Sequence, residues 1–340
     1  MRKSLIIVSL ALGSVALATA QGGTILLNAA GATFPYPIYS KWFDVYHNAH
    51  PNVQINYQSI GSGGGIRQLL AGTVDFGASD GPMSDDQLSQ AKFKILHFPT
   101  VLGAVVPTYN VAGVSGELNF TQKALAGIYL GTITKWDDPE IAKTNSGANL
   151  PNADIVVVHR SDGSGTTYIW TDFLGKVSEE WKKKVGNAST SVNWPVGLGG
   201  KGNEGVTGLV KQTPNAIGYI ELIYAVQNNI PYGKVQNAAG NFVKADLAGV
   251  TAAAAADAKN IPADFRVSIT NPQGPKVYPI SSFTWLLIPA QIQDATKREA
   301  IKDFLKWMLT EGQKYNEGLT YAQLPKELIA RETQAISLIQ

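Results

Sequence analysis

Residues 155–174 have the sequence IVVVHRSDGSGTTYIWTDFL, and this stretch decides the fold class. Ile155–Val158 is a short apolar run that is typical of a buried strand. The turn Asp162–Thr167 (DGSGTT) follows, and apolar spacing over Thr166–Leu174 predicts a helix. Because a buried strand that enters a helix through a tight turn is the repeating unit of α/β proteins, this stretch predicts an α/β fold.

The same strand–turn–helix pattern occurs twice near the amino end. The predicted strand Thr24–Asn28 leads to Gly31–Pro35 (GATFP), and the predicted strand Val53–Gln58 leads to Gly61–Gly65 (GSGGG). The alanine run Ala252–Ala256 is expected to be a surface loop or a short helix. The other predicted elements continue the alternation: helices at Pro35–Ala49, Ile66–Leu70, Gly205–Lys211 and Lys297–Gly312, and strands at Val74–Ala78, Ala216–Ile220 and Ser282–Ile288.

The three turns share the features of an anion site. Each supplies a hydroxyl side chain at or near the start of a helix: Thr33, Ser62, and Ser164 or Thr166. Helix starts expose unpaired N–H groups and a partial positive charge, and glycine lets a ligand come close to them. Arg160 lies just before the third turn and would add a charged fork of donors. Each turn taken alone is better explained as an ordinary capped helix start. Three such starts aimed at one point, one of them beside Arg160, would bind an anion, and for the three together the two explanations are about equally good.

Composition and motifs exclude several classes of protein. The 340 residues include no Cys, which excludes disulfides, thiolate metal sites, Cys nucleophiles and a Cys-linked lipid anchor. The four His lack metal-ligand spacing, so no metal and no cofactor are predicted. A net charge of +2 without a long basic run argues against nucleic acid as a partner. The Walker, dinucleotide-binding and nucleophile-elbow motifs are all incomplete, so no enzyme is predicted.

The amino terminus has the features of a secretory signal peptide. Arg2 and Lys3 precede the apolar run Leu5–Leu17, and small residues then end at Ala20, where cleavage is expected. A membrane anchor is the alternative, but the run is short for a span of about 20 residues. Without residues 1–20 the chain carries 26 basic and 26 acidic residues, so anion recognition must come from a local site. With no lipid anchor, the exported chain is expected to be a periplasmic monomer.

Several further blocks of the sequence are distinctive when they are taken in order along the chain. The blocks are Gly31–Pro35, Gly61–Ser62, Val74–Asp80 (VDFGASD), Tyr129–Gly131 with Trp136–Asp138, Arg160–Thr166 (RSDGSGT), Trp194–Asn203 (WPVGLGGKGN) and Ala216–Tyr219. Together they resemble the phosphate-binding protein of the bacterial Pst-type phosphate ABC importer. The resemblance runs over most of the chain after residue 20, and the blocks at 74–80 and 160–166 are specific to it.

The resemblance implies a two-lobed periplasmic binding protein fold of type II-like form, with a hinge and a ligand in the cleft. Lobe I would comprise residues 21–105 and 281–340, and lobe II residues 106–280, with crossings near Val105 and Ser281. It implies no catalysis, but high-affinity binding of inorganic phosphate as hydrogen or dihydrogen phosphate and its delivery to the transmembrane permease subunits of an ABC importer. By position, the implied ligand residues are Thr33, Phe34, Ser62 and Asp80 from lobe I, and Arg160, Ser164, Gly165 and Thr166 from lobe II.

One position departs from the family pattern. Family members often have a second Ser after the one that matches Ser62, and this chain has Gly63 there. A hydroxyl contact from that position would be lost, although a backbone N–H contact would remain.

Asp80 has a chemical rationale of its own. An ionised carboxylate only accepts hydrogen bonds, so it suits an anion that keeps a proton, as phosphate does, and repels sulfate, which has none. The alternative role is an N-cap for the segment after Pro82. Asp162 is expected to orient Arg160 rather than to contact the ligand.

Two other functions remain open at this point. An exported phosphate-ester hydrolase could share the anion cradle, but the sequence offers no metal set, activated nucleophile or base for it. A receptor for another tetrahedral oxyanion, such as sulfate or molybdate, is the second, and Asp80 argues against it.

Overall fold

Two β-sheets organise the part of the chain that the computed structural model describes, residues 23–114 and 116–340. The predicted signal peptide therefore lies outside the described residues. The strands are β1 (Ile25–Gly31), β2 (Val53–Ser59), β3 (Phe76–Ser79), β4 (Ile95–Asn110), β5 (Asn119–Phe120), β6 (Val156–Arg160), β7 (Leu198–Gly200), β8 (Ala216–Glu221), β9 (Lys234–Gln236), β10 (Phe242–Val243) and β11 (Ser281–Pro289).

Helices alternate with these strands along most of the chain, which confirms the predicted α/β class. The α-helices are α1 (Tyr36–Ala49), α2 (Ser62–Ala71), α3 (Asp85–Ser89), α4 (Gln122–Leu130), α5 (Pro139–Ala142), α6 (Gly165–Val177), α7 (Glu179–Lys184), α8 (Gly202–Gln212), α9 (Leu222–Gln227), α10 (Leu247–Asp257), α11 (Ala295–Leu309) and α12 (Lys326–Ala335). Short 3-10 helices lie at Ala258–Asn260, Gly312–Tyr315, Glu317–Leu319 and Ile336–Leu338.

The larger sheet has eight strands in the order β2-β1-β3-β11-β4-β8-β6-β7. β1 pairs in parallel with β2 and β3, and β6 pairs in parallel with β7 and β8. Between these two parallel groups, β4 and β11 run antiparallel to each other. The carboxyl ends of the parallel strands lead into the turns that the sequence singled out.

β4 joins the two parallel groups because it is 16 residues long. Its residues up to Ala104 pair with β11, and its residues from Val105 onward pair with β8. Ser281, the first residue of β11, pairs with Ala104. Both predicted crossing points thus fall where β4 changes partner, while the division into lobes at these residues stays a prediction.

A segment near residue 266 contacts elements on both sides of that division. The Arg266 Nη1 donates to the Met83 carbonyl at 3.1 Å, and the Trp285 Nε1 donates to the Phe265 carbonyl at 2.9 Å. Only a few residues later, the Thr270 side chain bonds to Asp172 of α6. The segment therefore links α6 to β11 and to the loop that follows β3.

Two aromatic clusters fix the helices that start at the turns. On one side, Tyr46 of α1 packs edge-on against Phe304, with ring centroids 5.2 Å apart. On the other side, Trp170 of α6 stacks on Tyr219 of β8 at 5.1 Å. Burying each such side chain contributes about 1.5–3 kcal/mol, so these contacts anchor α1 and α6 to the rest of the fold.

Packing explains how the structure differs from the prediction at the start of α2 and at the alanine run. Helix α2 begins at Ser62, four residues before the predicted start at Ile66, so the glycine run forms its first turn. A Cβ on Gly65 would lie 2.5 Å from the Ala30 carbonyl oxygen, and only glycine lets this turn pack against β1. The alanine run belongs to helix α10, where Ala253 is fully buried, so the surface-loop alternative is wrong.

Candidate anion-binding site

The first turn presents Thr33 and Phe34 between β1 and α1, and hydroxyl groups hold it from two directions. The Tyr224 hydroxyl donates to the Thr33 carbonyl at 2.6 Å, and the Tyr321 hydroxyl donates to the Phe34 carbonyl at 2.6 Å. The Phe34 ring is buried against Tyr321, with ring centroids 6.3 Å apart. Phe34 can therefore face a ligand through its backbone, while its side chain belongs to the core.

The second turn carries Ser62 at the start of α2. Gly61 has φ of 86°, in the left-handed region that favours glycine. The Ser62 Oγ accepts from the Asp80 backbone N–H at 3.1 Å. The Gly63 N–H, which the sequence left available for a ligand, donates instead to the Gly163 carbonyl at 2.9 Å. The Gly63 N–H is thus used within the protein, where it joins the second and third turns by a direct backbone hydrogen bond.

Asp80 follows β3 and is 1% exposed. The Thr284 hydroxyl of β11 donates to its Oδ1 at 2.8 Å. Burial raises the pKa of Asp80 to about 7, and the Thr284 bond and the Arg160 charge only partly offset that rise. The alternative N-cap role is wrong, because the next helix, α3, is capped by Ser84, which accepts from the Gln87 N–H.

The third turn holds Arg160 and Asp162 in a two-point ion pair. The Arg160 Nε donates to Oδ1 of Asp162 at 2.8 Å, and Nη2 donates to Oδ2 at 2.5 Å. Burial alone would raise the pKa of Asp162, but the Arg160 hydrogen bonds and charge outweigh it and hold the pKa below its usual range. Arg160 Nη1 donates to the Thr166 Oγ1 at 3.3 Å. Three of the five guanidinium N–H groups are thus engaged within the protein, and two remain for a ligand.

Helix α6 starts at the centre of this group of residues. The Ser164 Oγ caps the helix by accepting from the Thr167 N–H at 3.0 Å. At Gly165, a Cβ would come closer to Asp80 Oδ2 and to Ser62 Oγ than real Cβ atoms come to other atoms. Glycine at this position therefore lets the amino end of α6 approach the second turn and Asp80 directly.

The structure brings the sequence-predicted residues into one connected group. Ser62 contacts Asp80, Asp80 lies against Gly165, and Arg160 bridges Asp162 and Thr166. Thr33 joins the group through a residue that the sequence argument missed. The full predicted set is Thr33, Phe34, Ser62, Asp80, Arg160, Ser164, Gly165 and Thr166, with Asp162 in support; the side chain of Phe34 alone turns away.

The missed residue is Asn203, the second residue of α8. It is fully buried, and its Nδ2 donates to Thr33 Oγ1 at 2.8 Å and to Thr166 Oγ1 at 3.2 Å. A fourth glycine-rich stretch, Gly197–Gly202, precedes it; this stretch contains the short strand β7 and leads directly into helix α8. That local pattern was the available signal, but the sequence argument used this stretch only to exclude a Walker motif and as one block of the family resemblance, without assigning a role to Asn203.

Neither a metal-ligand cluster nor a membrane span occurs within residues 23–114 and 116–340. No group of three or more His, Cys, Asp or Glu side chains in these residues is placed to hold a metal ion. No helix in the same part of the chain is long and apolar enough to cross a membrane.

Sequence comparison finds close relatives over nearly the whole chain. A family model described as the PBP superfamily domain matches residues 18–311. The Phosphate-binding protein PstS of Xylella fastidiosa strain Temecula1 is 47% identical over 311 residues, which cover 91% of this chain and 84% of that protein. The protein of the same name from Pasteurella multocida is 43% identical, with coverage of 97% and 94%.

Comparison of structures confirms the predicted fold class. A high-affinity periplasmic phosphate-binding protein, PfluDING, solved with bound phosphate, superposes with a TM-score of 0.74 at 24% identity and covers 91% of this chain and 93% of its own. The phosphate binding protein of Stenotrophomonas maltophilia gives a TM-score of 0.69 at 18% identity, with coverage of 92% and 94%. At these identities the likeness establishes the fold.

Proposed function

The chain belongs to the PBP superfamily and, within it, to the phosphate-binding proteins named PstS, and from this membership we propose that it binds inorganic phosphate and delivers it to an ABC importer. The proposed ligand site is the connected group around Gly165. Phosphate would be held as hydrogen or dihydrogen phosphate.

The observation that carries the assignment of the site is the approach of Gly165 to Ser62 and Asp80. It brings the amino end of α6 against Ser62, the first residue of α2, so that one helix start from each parallel group of strands meets the other. Each helix start offers N–H donors and a partial positive charge to an anion. Asp162 neutralises Arg160, so donors rather than net charge hold the anion at this site.

Asp80 supplies the acceptor that a protonated oxyanion requires. Its ionised carboxylate accepts a hydrogen bond from the P–O–H group, and it repels an anion that has no O–H group to donate one. Thr284 fixes Oδ1, and the second oxygen lies against Gly165, where the ligand would bind. This arrangement favours phosphate over sulfate and argues against a receptor for another tetrahedral oxyanion.

The side chains favour binding without catalysis. A hydrolase would need a base beside a serine, and the imidazoles of His97 and His159 are engaged elsewhere. His97 Nε2 accepts from the Met83 N–H at 3.1 Å, and the His159 ring stacks on Trp194 at 5.0 Å. Ser164 serves as a helix cap. These two imidazoles are therefore not placed to act as a base at the site. The Asp80 carboxylate, 3.5 Å from the Ser62 Oγ, is the remaining candidate base for the hydrolase alternative, and the ester assay below tests it.

The setting of this activity follows from the amino-terminal segment and the family. We propose export, cleavage after Ala20, and action in the periplasm as a monomer that docks on the transmembrane permease subunits of the importer. No Cys is present to carry a lipid anchor.

Equilibrium dialysis against labelled phosphate, with a chromogenic phosphate ester in parallel, tests the proposal on residues 21–340. The proposal predicts one bound phosphate per chain and no release of the chromophore. Ester cleavage that disappears in Ser62→Ala would favour the hydrolase instead. Absence of bound phosphate at millimolar concentration would reject the proposed function.

A further inference from the structure

We propose that Asn203 is a positioning residue that forces the hydroxyl groups of Thr33 and Thr166 to donate hydrogen bonds to the anion. This inference rests on the proposed function of the same site. It assigns a role to a side chain that need not touch the ligand itself.

The orientation of the Asn203 amide is fixed by chemistry. One of its terminal atoms lies 3.0 Å from the Glu221 backbone nitrogen, which can only donate. That atom is therefore the oxygen, and the other terminal atom is the NH2 group. With the residue fully buried, the amide has no solvent that could stabilise the flipped orientation.

At Thr33 the hydroxyl oxygen accepts twice from Asn203. The Nδ2 group donates to Oγ1 at 2.8 Å, and the Asn203 backbone N–H donates to the same oxygen at 3.2 Å. A hydroxyl oxygen has two lone pairs and one hydrogen. Both lone pairs are thus in use, and the Thr33 O–H is left only to donate.

At Thr166 the same condition arises from two different donors. Arg160 Nη1 donates to Oγ1 at 3.3 Å, and the second hydrogen of Asn203 Nδ2 donates to it at 3.2 Å. Both lone pairs of this oxygen are again occupied. The Thr166 O–H therefore also remains as a donor.

One amide group thereby sets the polarity of two hydroxyls on opposite sides of the site. Thr33 follows β1, and Thr166 belongs to α6, so the two hydrogens of Nδ2 connect the first turn to the third. The unprotonated oxygens of a phosphate only accept hydrogen bonds. A hydroxyl that is free to rotate can point either its hydrogen or a lone pair at such an oxygen. The hydroxyls of Thr33 and Thr166 are instead oriented as donors before the anion binds.

The test compares Asn203→Asp with Asn203→Ala by calorimetric titration with inorganic phosphate at pH 8. Asp keeps the size of Asn and the bond from Glu221, but it replaces both donor hydrogens with acceptors, so each hydroxyl would turn its O–H away from the anion. Losing two donors to an anion predicts binding weaker by about 100-fold or more for Asp, against about 10-fold for Ala. A role in packing alone predicts the opposite order, because Asp preserves the volume. The new carboxylate would also repel the anion directly, so this order supports the inference only together with the double-mutant cycle below, in which no charge is introduced.

A pH series separates polarity from packing more sharply. As the pH falls from 8 to 5, the buried carboxyl of Asn203→Asp takes up a proton and can donate again. The phosphate affinity of Asn203→Asp should therefore come closer to that of Asn203→Ala. A ratio of the two affinities that does not change with pH overturns the inference. Asn145→Asp is the matched control: Asn145 is buried and donates to the Ile141 carbonyl at 2.8 Å, and its replacement should lower stability but leave phosphate affinity unchanged.

A double-mutant cycle covers the case in which Asn203→Asp fails to fold. If Asn203 acts through Thr33, then Asn203→Ala should cost less in a Thr33→Val background than in the wild-type protein. Fully additive losses overturn the inference. A wild-type protein that binds no phosphate would reject the proposed function and this inference together, whereas wild-type binding with Asn203→Asp at least as tight as Asn203→Ala would reject the inference alone.

Discussion

Replacing Asp80 by Asn should make the ligand-free protein more stable at alkaline pH and should reduce its selectivity for phosphate over sulfate. Burial raises the pKa of Asp80 from 3.8 to about 7 in the folded protein. A raised pKa means that folding holds the proton more tightly, so this group's contribution to stability is full below about pH 4 and is lost as the pH rises toward 7. The amide that Asp80→Asn introduces carries no charge at any pH and removes this loss.

The size of the effect follows from that pKa. A shift of about 3 pH units at 1.36 kcal/mol each is a total of about 4 kcal/mol, of which about 2–3 kcal/mol falls between pH 5 and pH 8. The free energy of unfolding in urea, measured without ligand at both pH values, should therefore fall by about that much more in the wild-type protein than in Asp80→Asn. Other titrating groups cancel in this difference.

Ligand selectivity gives the second half of the same experiment. The Asn amide can donate to sulfate, so Asp80→Asn should narrow the phosphate-to-sulfate preference, chiefly by admitting sulfate. In the wild-type protein the preference should also narrow below pH 7, where Asp80 takes up its proton. Equal pH dependence of stability in both proteins would refute the buried-charge argument, and unchanged rejection of sulfate would make steric fit the better explanation.

Three further outcomes are expected at the same site. Arg160→Ala should weaken phosphate binding by about 100-fold or more in calorimetry, because it removes the charged donors and leaves Asp162 unpaired; Arg160→Lys should recover part of the loss, and full recovery would contradict the two-point geometry. Gly165→Ala should weaken binding by at least about 10-fold, because its Cβ would collide with Asp80 and Ser62, whereas Gly175→Ala, on the same helix in open space, should not change it; equal affinities would refute the close approach. Phosphate should reduce the radius of gyration in solution scattering, and an unchanged radius at saturation would contradict capture between two lobes.

The local half of this site could be predicted from sequence because its signals are local. A strand that ends in glycine and a hydroxyl residue before a helix is a short-range pattern, and all three predicted turns lie where it placed them. The start of helix α2 was harder to predict. Glycine disfavours a helix by about 1 kcal/mol per residue, yet Gly63–Gly65 are helical, because their small size lets α2 pack on the strand ends.

The other half depends on contacts between residues far apart in the chain. Thr284 reaches Asp80 across 204 residues, and Asn203 reaches Thr33 across 170. The raised pKa of Asp80 is likewise a consequence of its burial, and no residue near Asp80 in the sequence indicates that burial. Sequence patterns could name the groups that are proposed to face the ligand, but the groups that orient them are found only in the folded structure.

The most direct test of the account is calorimetric titration of residues 21–340 with phosphate and with sulfate at pH 8 and fixed ionic strength. The account predicts one phosphate per chain with Kd in the micromolar range or tighter, about −8 kcal/mol or better, and sulfate weaker by at least about 100-fold. Sulfate that binds as tightly as phosphate, or no heat from millimolar phosphate, would contradict it.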